Sequence, residues 1–259
     1  MYKRQTQDNN TIRTLSGSLD DWHPILGGDG FYVLVDPNDN NFVYAEYQFG
    51  NLFRSIDGGF DMFPATFGID DNDRKNWNTP VVFDPSNSST LYYGSNRLYM
   101  SNDRAQNWTA ISPDLTDNAG FSAGYHTLST IAVAPTNSGV IYIGTDDGNV
   151  QVTFNGGSSW TNISTGLPQR YVTRVAVDPF DELTAYVTFS GFRKDDYLPH
   201  VFRTTDGGSS WTDISSNLPE GPVNDIIIDP AVSGTLYIAT DFGVYQTADL
   251  GQNWEPCLL

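Results

Sequence analysis

The chain has 259 residues, a formal charge of −18, 14% aromatic residues and one cysteine. Its length and 39% apolar content supply a sizeable core and exclude a disordered chain. The acidic excess disfavours phosphate backbones, and so nucleic acid as a partner; a single cysteine excludes an intrachain disulfide, and no apolar run of about 18 residues is present to span a membrane.

In chain order, the opening MYKRQ resembles the translation of a transposon adapter used in sequencing libraries, and the closing CLL resembles its opposite strand. Natural sequence is therefore expected over residues 6–256, truncated at both ends, with 1–5 and 257–259 as artefact. Cys257 is then not native, and any signal peptide lies upstream. DWHPI, from Asp21, reads as the outer strand of a preceding unit.

From Val35 onward one unit recurs five times. Each starts with a short apolar strand that ends before proline: VDP from Val35, FDP from Phe83, VAP from Val133, VDP from Val177 and IDP from Ile228. Proline has no N–H to give and stops the ladder there. A turn rich in Asn, Ser and Asp leads to a second strand such as TLYIAT, and a Gly/Asp loop leads to a third. An octet then joins the third strand to a fourth: SIDGGFDM from Ser55, SNDRAQNW from Ser101, TFNGGSSW from Thr153, TTDGGSSW from Thr204 and TADLGQNW from Thr247. Its acid or amide falls at Asp57, Asp103, Asn155, Asp206 and Asp249, in steps of 46, 52, 51 and 43 residues. Four antiparallel strands at that period make a propeller blade, and no helical periodicity interrupts the pattern.

The octets resemble the Asp-box, Ser/Thr-x-Asp-x-Gly-x-x-Trp, which marks the sialidase-like, sortilin-like and oligoxyloglucan-hydrolase-like propellers. Met62 departs from it at the tryptophan position, Ala105 at the second glycine and Asn155 at the aspartate. The expected fold is all-β, a propeller of four-stranded antiparallel blades with about five visible, as an arc of a six- to eight-bladed ring. The octet reads as scaffold. Its acid accepts hydrogen bonds from the loop, its glycines supply positive φ, and Trp108, Trp160, Trp211 and Trp254 fold over their own turns, burying an apolar face worth roughly 2–3 kcal/mol.

Octets and proline turns share one end of each blade, so function is expected in the loops at the other end. Acids there include Asp29, Glu46, Asp146, Asp147, Asp225 and Asp241, together with Arg97, His126 and His200. A glycosidase needs two facing carboxylates; the catalytic candidates are Asp29, Asp146, Asp147 and Asp241. Trp77, Tyr125, Arg170 and Arg193 are the ligand-binding candidates. The acidic loop around Asp70, Asp71 and Asp73 lacks calcium-site spacing, the three histidines lack zinc spacing, and no phosphate loop is present. No metal or cofactor is expected. Three functions remain: a non-catalytic binding or scaffold module of a larger secreted or surface protein, preferred because no catalytic constellation is legible; a glycoside hydrolase on β-glucan or xyloglucan-type polysaccharide; and a sortilin-like peptide-binding propeller. The expected partners are a carbohydrate or peptide ligand at the loop end and further domains of the same protein.

Overall fold

The structure, a computed structural model, describes residues 2–5, 10–117 and 125–257. It divides into two compact units, Met1–Pro113 and Asp114–Leu259. In the first, β1 (Tyr2–Gln5), β2 (Thr11–Thr14) and β3 (His23–Leu26) form a three-stranded sheet in which β3, the HPIL of the sequence, is an edge. Two four-stranded sheets follow: β4 (Val33–Val35), β5 (Val43–Tyr47), β6 (Asn51–Ser55) and β7 (Phe63–Pro64); then β8 (Val81–Asp84), β9 (Asn87–Gly94), β10 (Leu98–Ser101) and β11 (Thr109–Ala110).

The second unit holds three more four-stranded sheets. They are β12 (Leu128–Val133), β13 (Ile141–Thr145), β14 (Val150–Thr153) and β15 (Thr161–Asn162); β16 (Tyr171–Val177), β17 (Ala185–Ser190), β18 (His200–Thr204) and β19 (Thr212–Asp213); and β20 (Val223–Ile228), β21 (Leu236–Thr240), β22 (Gly243–Thr247) and β23 (Glu255–Pro256). All pairings are antiparallel between sequence neighbours, as a meander requires. A single turn of 3-10 helix at Phe192–Lys194 is the one helical element among the described residues.

The proline turns work as expected and add a bond. Asp36, Asp84, Asp178 and Asp229 each accept the N–H two residues on, at 2.8–2.9 Å. The carboxylate thus caps the turn that the proline opens.

Within each unit the core lies between successive sheets, where alternate residues of neighbouring strands interdigitate. Tyr44, Leu52, Val81, Leu91, Tyr93, Tyr99 and Trp108 make one layer in the first unit. Tyr142, Val150, Val172, Val187 and Phe189 make one in the second unit, and Tyr186, Val201, Ile226, Leu236 and Trp254 make the next.

The five octets share one hydrogen-bond scheme. Gly59, Ala105, Gly157, Gly208 and Gly251 donate their N–H to the hydroxyl four residues back, on Ser55, Ser101, Thr153, Thr204 and Thr247, at 2.7–3.1 Å. That hydroxyl donates to Asp57, Asp103, Asn155, Asp206 and Asp249 at 2.6–2.9 Å. The same side-chain oxygen accepts the N–H four residues further on, at 2.9–3.0 Å. Asn155 fills the acceptor role because an amide oxygen serves as well as a carboxylate oxygen.

The tryptophans correct the expectation of a purely local turn. Trp211 Nε1 donates to the Ile163 carbonyl at 2.8 Å, Trp254 to Ile214 at 2.8 Å and Trp108 to Ala65 at 2.8 Å. Each indole reaches the carbonyl just beyond the outer strand of the preceding sheet. The second glycine serves the same join: a Cβ on Gly208 would stand 2.4 Å from Ile163 Cδ1, and one on Gly251 2.8 Å from Ile214 Cβ. Both residues also hold φ near +89° and +85°, so a side chain is disfavoured at these two for two reasons, whereas Ala105 carries a methyl group at the matching place with φ +60°.

Candidate functional site

At the loop end the sheets stop resembling one another. Loops of two to four residues join the second and third strands in four sheets, and residues 191–199 join β17 to β18 in the fifth.

In the first unit Asp29 is 6% exposed, and its N–H donates to Gln48 Oε1 at 3.3 Å. Nearby, Trp77 is half-buried with the edges of Phe31 and Phe49 against it at centroid separations of 6.0 and 4.9 Å. These T-shaped contacts fix the indole, so Trp77 is a framed residue with part of its surface open. Phe49 is 43% exposed beside it.

Glu46, on β5 next to that loop, is fully buried, and neither carboxylate oxygen has a hydrogen bond of good geometry. Burial lifts its carboxyl well above the usual range, and the Tyr32 and Thr79 backbone N–H groups offset only part of this. Glu46 pairs with Leu52; the matching residues of the other sheets are Gly94, Gly144, Thr188 and Ala239, paired with Leu98, Val150, Val201 and Val244. Aligning the repeats in sequence would have exposed this oddity.

Asp73 of the acidic loop is buried and accepts from Ser95 Oγ at 2.9 Å, Tyr99 Oη at 2.6 Å and Arg97 Nη2 at 2.7 Å. Asp70 turns to the Asn72 N–H and lies 3.5 Å from Arg97. The loop is thus pinned by an arginine. No group of three or more His, Cys, Asp or Glu among the described residues is placed to share a metal ion.

In the second unit the adjacent acids Asp146 and Asp147 occupy different settings. Asp146 accepts the Tyr125 N–H at 2.7 Å on one oxygen and the Thr127 N–H at 2.8 Å on the other. Desolvation outweighs those bonds, and its carboxyl is raised above the ordinary aspartate value. Asp147 is also desolvated, yet its partners prevail and hold it below the ordinary value. It accepts from the Thr145 hydroxyl, the Asp117 N–H at 2.9 Å, Asn149 Nδ2 at 3.0 Å and His126 Nδ1 at 3.1 Å. Both acids therefore tie the incoming connection to its sheet, with Asp147 held below and Asp146 above the ordinary aspartate value. Tyr125 is 43% exposed.

Asp225 forms a bidentate pair with Arg174, at 2.5 and 2.8 Å. Asp241 is exposed and accepts from Asn224 Nδ2 at 2.8 Å. Arg170 donates Nε to Asp196 at 2.8 Å, and His200 Nε2 meets the same oxygen at 3.0 Å. Arg193 is exposed on the 3-10 turn. The geometry brings Asp146, Asp147, His126 and Tyr125 together, and Arg170 with His200; it sets Asp241 and Arg193 on other loops. Asp29 and Trp77 belong to the first unit.

A cavity of about 540 Å³ opens beside the long loop, lined by Leu167, Pro168, Leu198, Phe202, Asp213 and Ser216 among others. Of this lining the sequence reading singled out His200 alone. The signal was the length of FSGFRKDDYLPH against its four short counterparts.

No helix among the described residues is long and apolar enough to cross a membrane. No family model matches the chain. It is 28% identical, across 99% of its length, to "Xyloglucanase" of Hypocrea jecorina, of which it spans 35%. It is 25% identical, across 85% of its length, to "Oligoxyloglucan-reducing end-specific xyloglucanase" of Emericella nidulans, spanning 28% of that protein. Among solved structures, the GH74 xyloglucanase from Xanthomonas campestris superposes with a TM-score of 0.75 at 19% identity, covering 99% of this chain and 43% of that one. The Niastella koreensis GH74 enzyme gives 0.73 at 18% identity, over 97% and 42%. The chain is therefore an all-β propeller, similar in sequence to xyloglucanases and spanning about a third of the length of the first two it matches.

Proposed function

We propose that this chain is propeller sequence of a glycoside hydrolase acting on xyloglucan-type β-glucan. The observation that carries the reading is similarity along 99% of the chain to a protein named for that activity. It favours the hydrolase over the non-catalytic module that the sequence alone put first. The blades are of the Asp-box kind, and the enzyme works outside the cell, where a polymeric glucan is met.

The loop-end carboxylates supply the chemistry. Asp146 is the candidate general acid, because desolvation holds its proton to higher pH than an ordinary aspartate. In protonated form it gives that proton to the departing glycosidic oxygen, while a second carboxylate either takes a proton from the water that attacks the anomeric carbon or bonds to that carbon itself, water then cleaving the glycosyl–enzyme bond. Asp241, on another loop of the same unit, is the candidate for the second role. Asp147 is a positioning residue, since its partners Thr145, Asn149, His126 and the Asp117 N–H hold it below the ordinary aspartate value, the opposite of Asp146.

Asp146→Asn is the direct test, with Asp241→Asn beside it and xyloglucan oligosaccharides as substrate. Turnover should fall at least about 100-fold in each, the usual scale for loss of an acid or base, with melting unchanged. Wild-type turnover retained by Asp146→Asn, or no turnover by the wild type, would sink the reading.

A further inference from the structure

The long loop of the fifth sheet is a built feature. Gly191, which opens it, has no room for a side chain: a Cβ there would stand 2.4 Å from the Asp196 carbonyl oxygen. Asp196 is held from two sides by Arg170 and His200, and its other oxygen accepts the Leu198 N–H at 3.2 Å. Lys194 Nζ donates to the Gln169 carbonyl at 3.0 Å. Four hydrogen bonds thus fasten the loop to itself and to the connection before β16.

This fastened loop leaves Phe192, Tyr197 and Leu198 exposed at 66%, 57% and 58%. Large apolar side chains presented on an ordered loop mark a place where something binds. Leu198 is also a wall of the 540 Å³ cavity. That cavity joins an apolar side, Leu167, Pro168, Leu198 and Phe202, to a polar side, Asp213 and Ser216. Asp213 uses one oxygen on the Ser215 N–H at 2.8 Å, and its other oxygen has no hydrogen bond among the described residues. The Ser216 hydroxyl donates to the Gln252 carbonyl at 2.6 Å and keeps its acceptor lone pairs.

We infer that this cavity is a binding subsite for a neutral oligosaccharide, a short glucan stretch, separate from the Asp146 carboxylate. The inference takes its ligand class in part from the hydrolase reading. Pyranose rings have an apolar C–H face and an edge of hydroxyl donors, which match the apolar wall and the acceptor pair. A carboxylate acceptor in a chain of charge −18 excludes phosphorylated and sulfated ligands. An added peptide strand is a poorer fit, because β19 at the cavity is two residues long and offers no ladder.

Binding of a xyloglucan heptasaccharide to the chain, followed by calorimetry, tests this without turnover. Leu198→Ser and Asp213→Ala should each weaken binding at least ten-fold, with melting unchanged because both positions are exposed. Tyr197→Ala should weaken it less. Absence of wild-type binding, wild-type affinity in both variants, or capture of a proline-rich peptide in place of the saccharide would each overturn the subsite. Asp146→Asn separates the two readings: it should abolish turnover and leave this binding intact, and heptasaccharide binding that is lost in Asp146→Asn but kept in Asp213→Ala places the ligand elsewhere.

Discussion

At one end of each four-stranded sheet the same eight-residue turn recurs, with the same hydroxyl-to-amide bonds, whether its acid is Asp57, Asp103, Asp206, Asp249 or the amide of Asn155. At the other end the loops run from two residues to nine and share no common partner set. The recurrent end satisfies its polar groups internally and, through Trp108, Trp211 and Trp254, bonds three sheets to the ones before them. The variable end leaves a raised carboxyl at Asp146, a buried carboxyl with no hydrogen bond of good geometry at Glu46 and an open cavity beside Leu198. On the proposed reading, stability and function are carried by opposite ends of the same strands. Substitutions at the first end should change folding, and those at the second should change binding and turnover.

The largest effect that would break this division is at Trp108, which is 4% exposed and donates to Ala65 across two sheets. Trp108→Ala removes a buried indole and its intersheet bond, and should cost about 3–5 kcal/mol in urea unfolding. A loss of under about 1 kcal/mol would mean that the tryptophan only covers its own turn.

Glu46 sharpens the comparison from the loop end. Its folded carboxyl is raised, so its favourable contribution is complete below the unfolded value near about 4.3 and is lost as pH rises toward the folded value. Stability of the wild type should fall over that window by at most about 1.4 kcal/mol per pH unit from this group. Glu46→Gln should flatten the slope, and an identical slope in the variant would show that the carboxyl is not strained. The residues facing it include Tyr32, Thr79 and Tyr93, none of which carries a positive charge.

Asp206 gives the smallest effect and the opposite sign. Hydrogen bonds from Ser210, first its hydroxyl and then its N–H, and from Thr204 hold its carboxyl down to about 2 from 3.8. Its contribution is present above the unfolded value and is lost as pH falls through about 2. Asp206→Ala should lower the melting temperature at neutral pH more than Asp206→Asn does, because Asn155 already makes the same bonds in the third octet. Equal losses in the two variants would remove the octet acid from the hydrogen-bond argument.

The sequence by itself determined the blade. Proline after the first strand, glycine at positive φ and an acid two residues after a hydroxyl act within a few bonds of one another, so their spacing is legible without coordinates. It also located the variable end, because strand order alone puts the octets and proline turns at one end. Only the tertiary structure decided what crosses between sheets. The Trp211 bond to Ile163 spans 48 residues, and the steric limit on Gly208 is set by Ile163. Only it could part Asp146 from Asp147, adjacent in sequence and opposite in proton affinity, because desolvation and hydrogen bonds come from residues brought near by folding. The cavity beside Leu198 has the same origin: its walls come from β18, β19, the connection before β16 and one long loop, and no local pattern joins them.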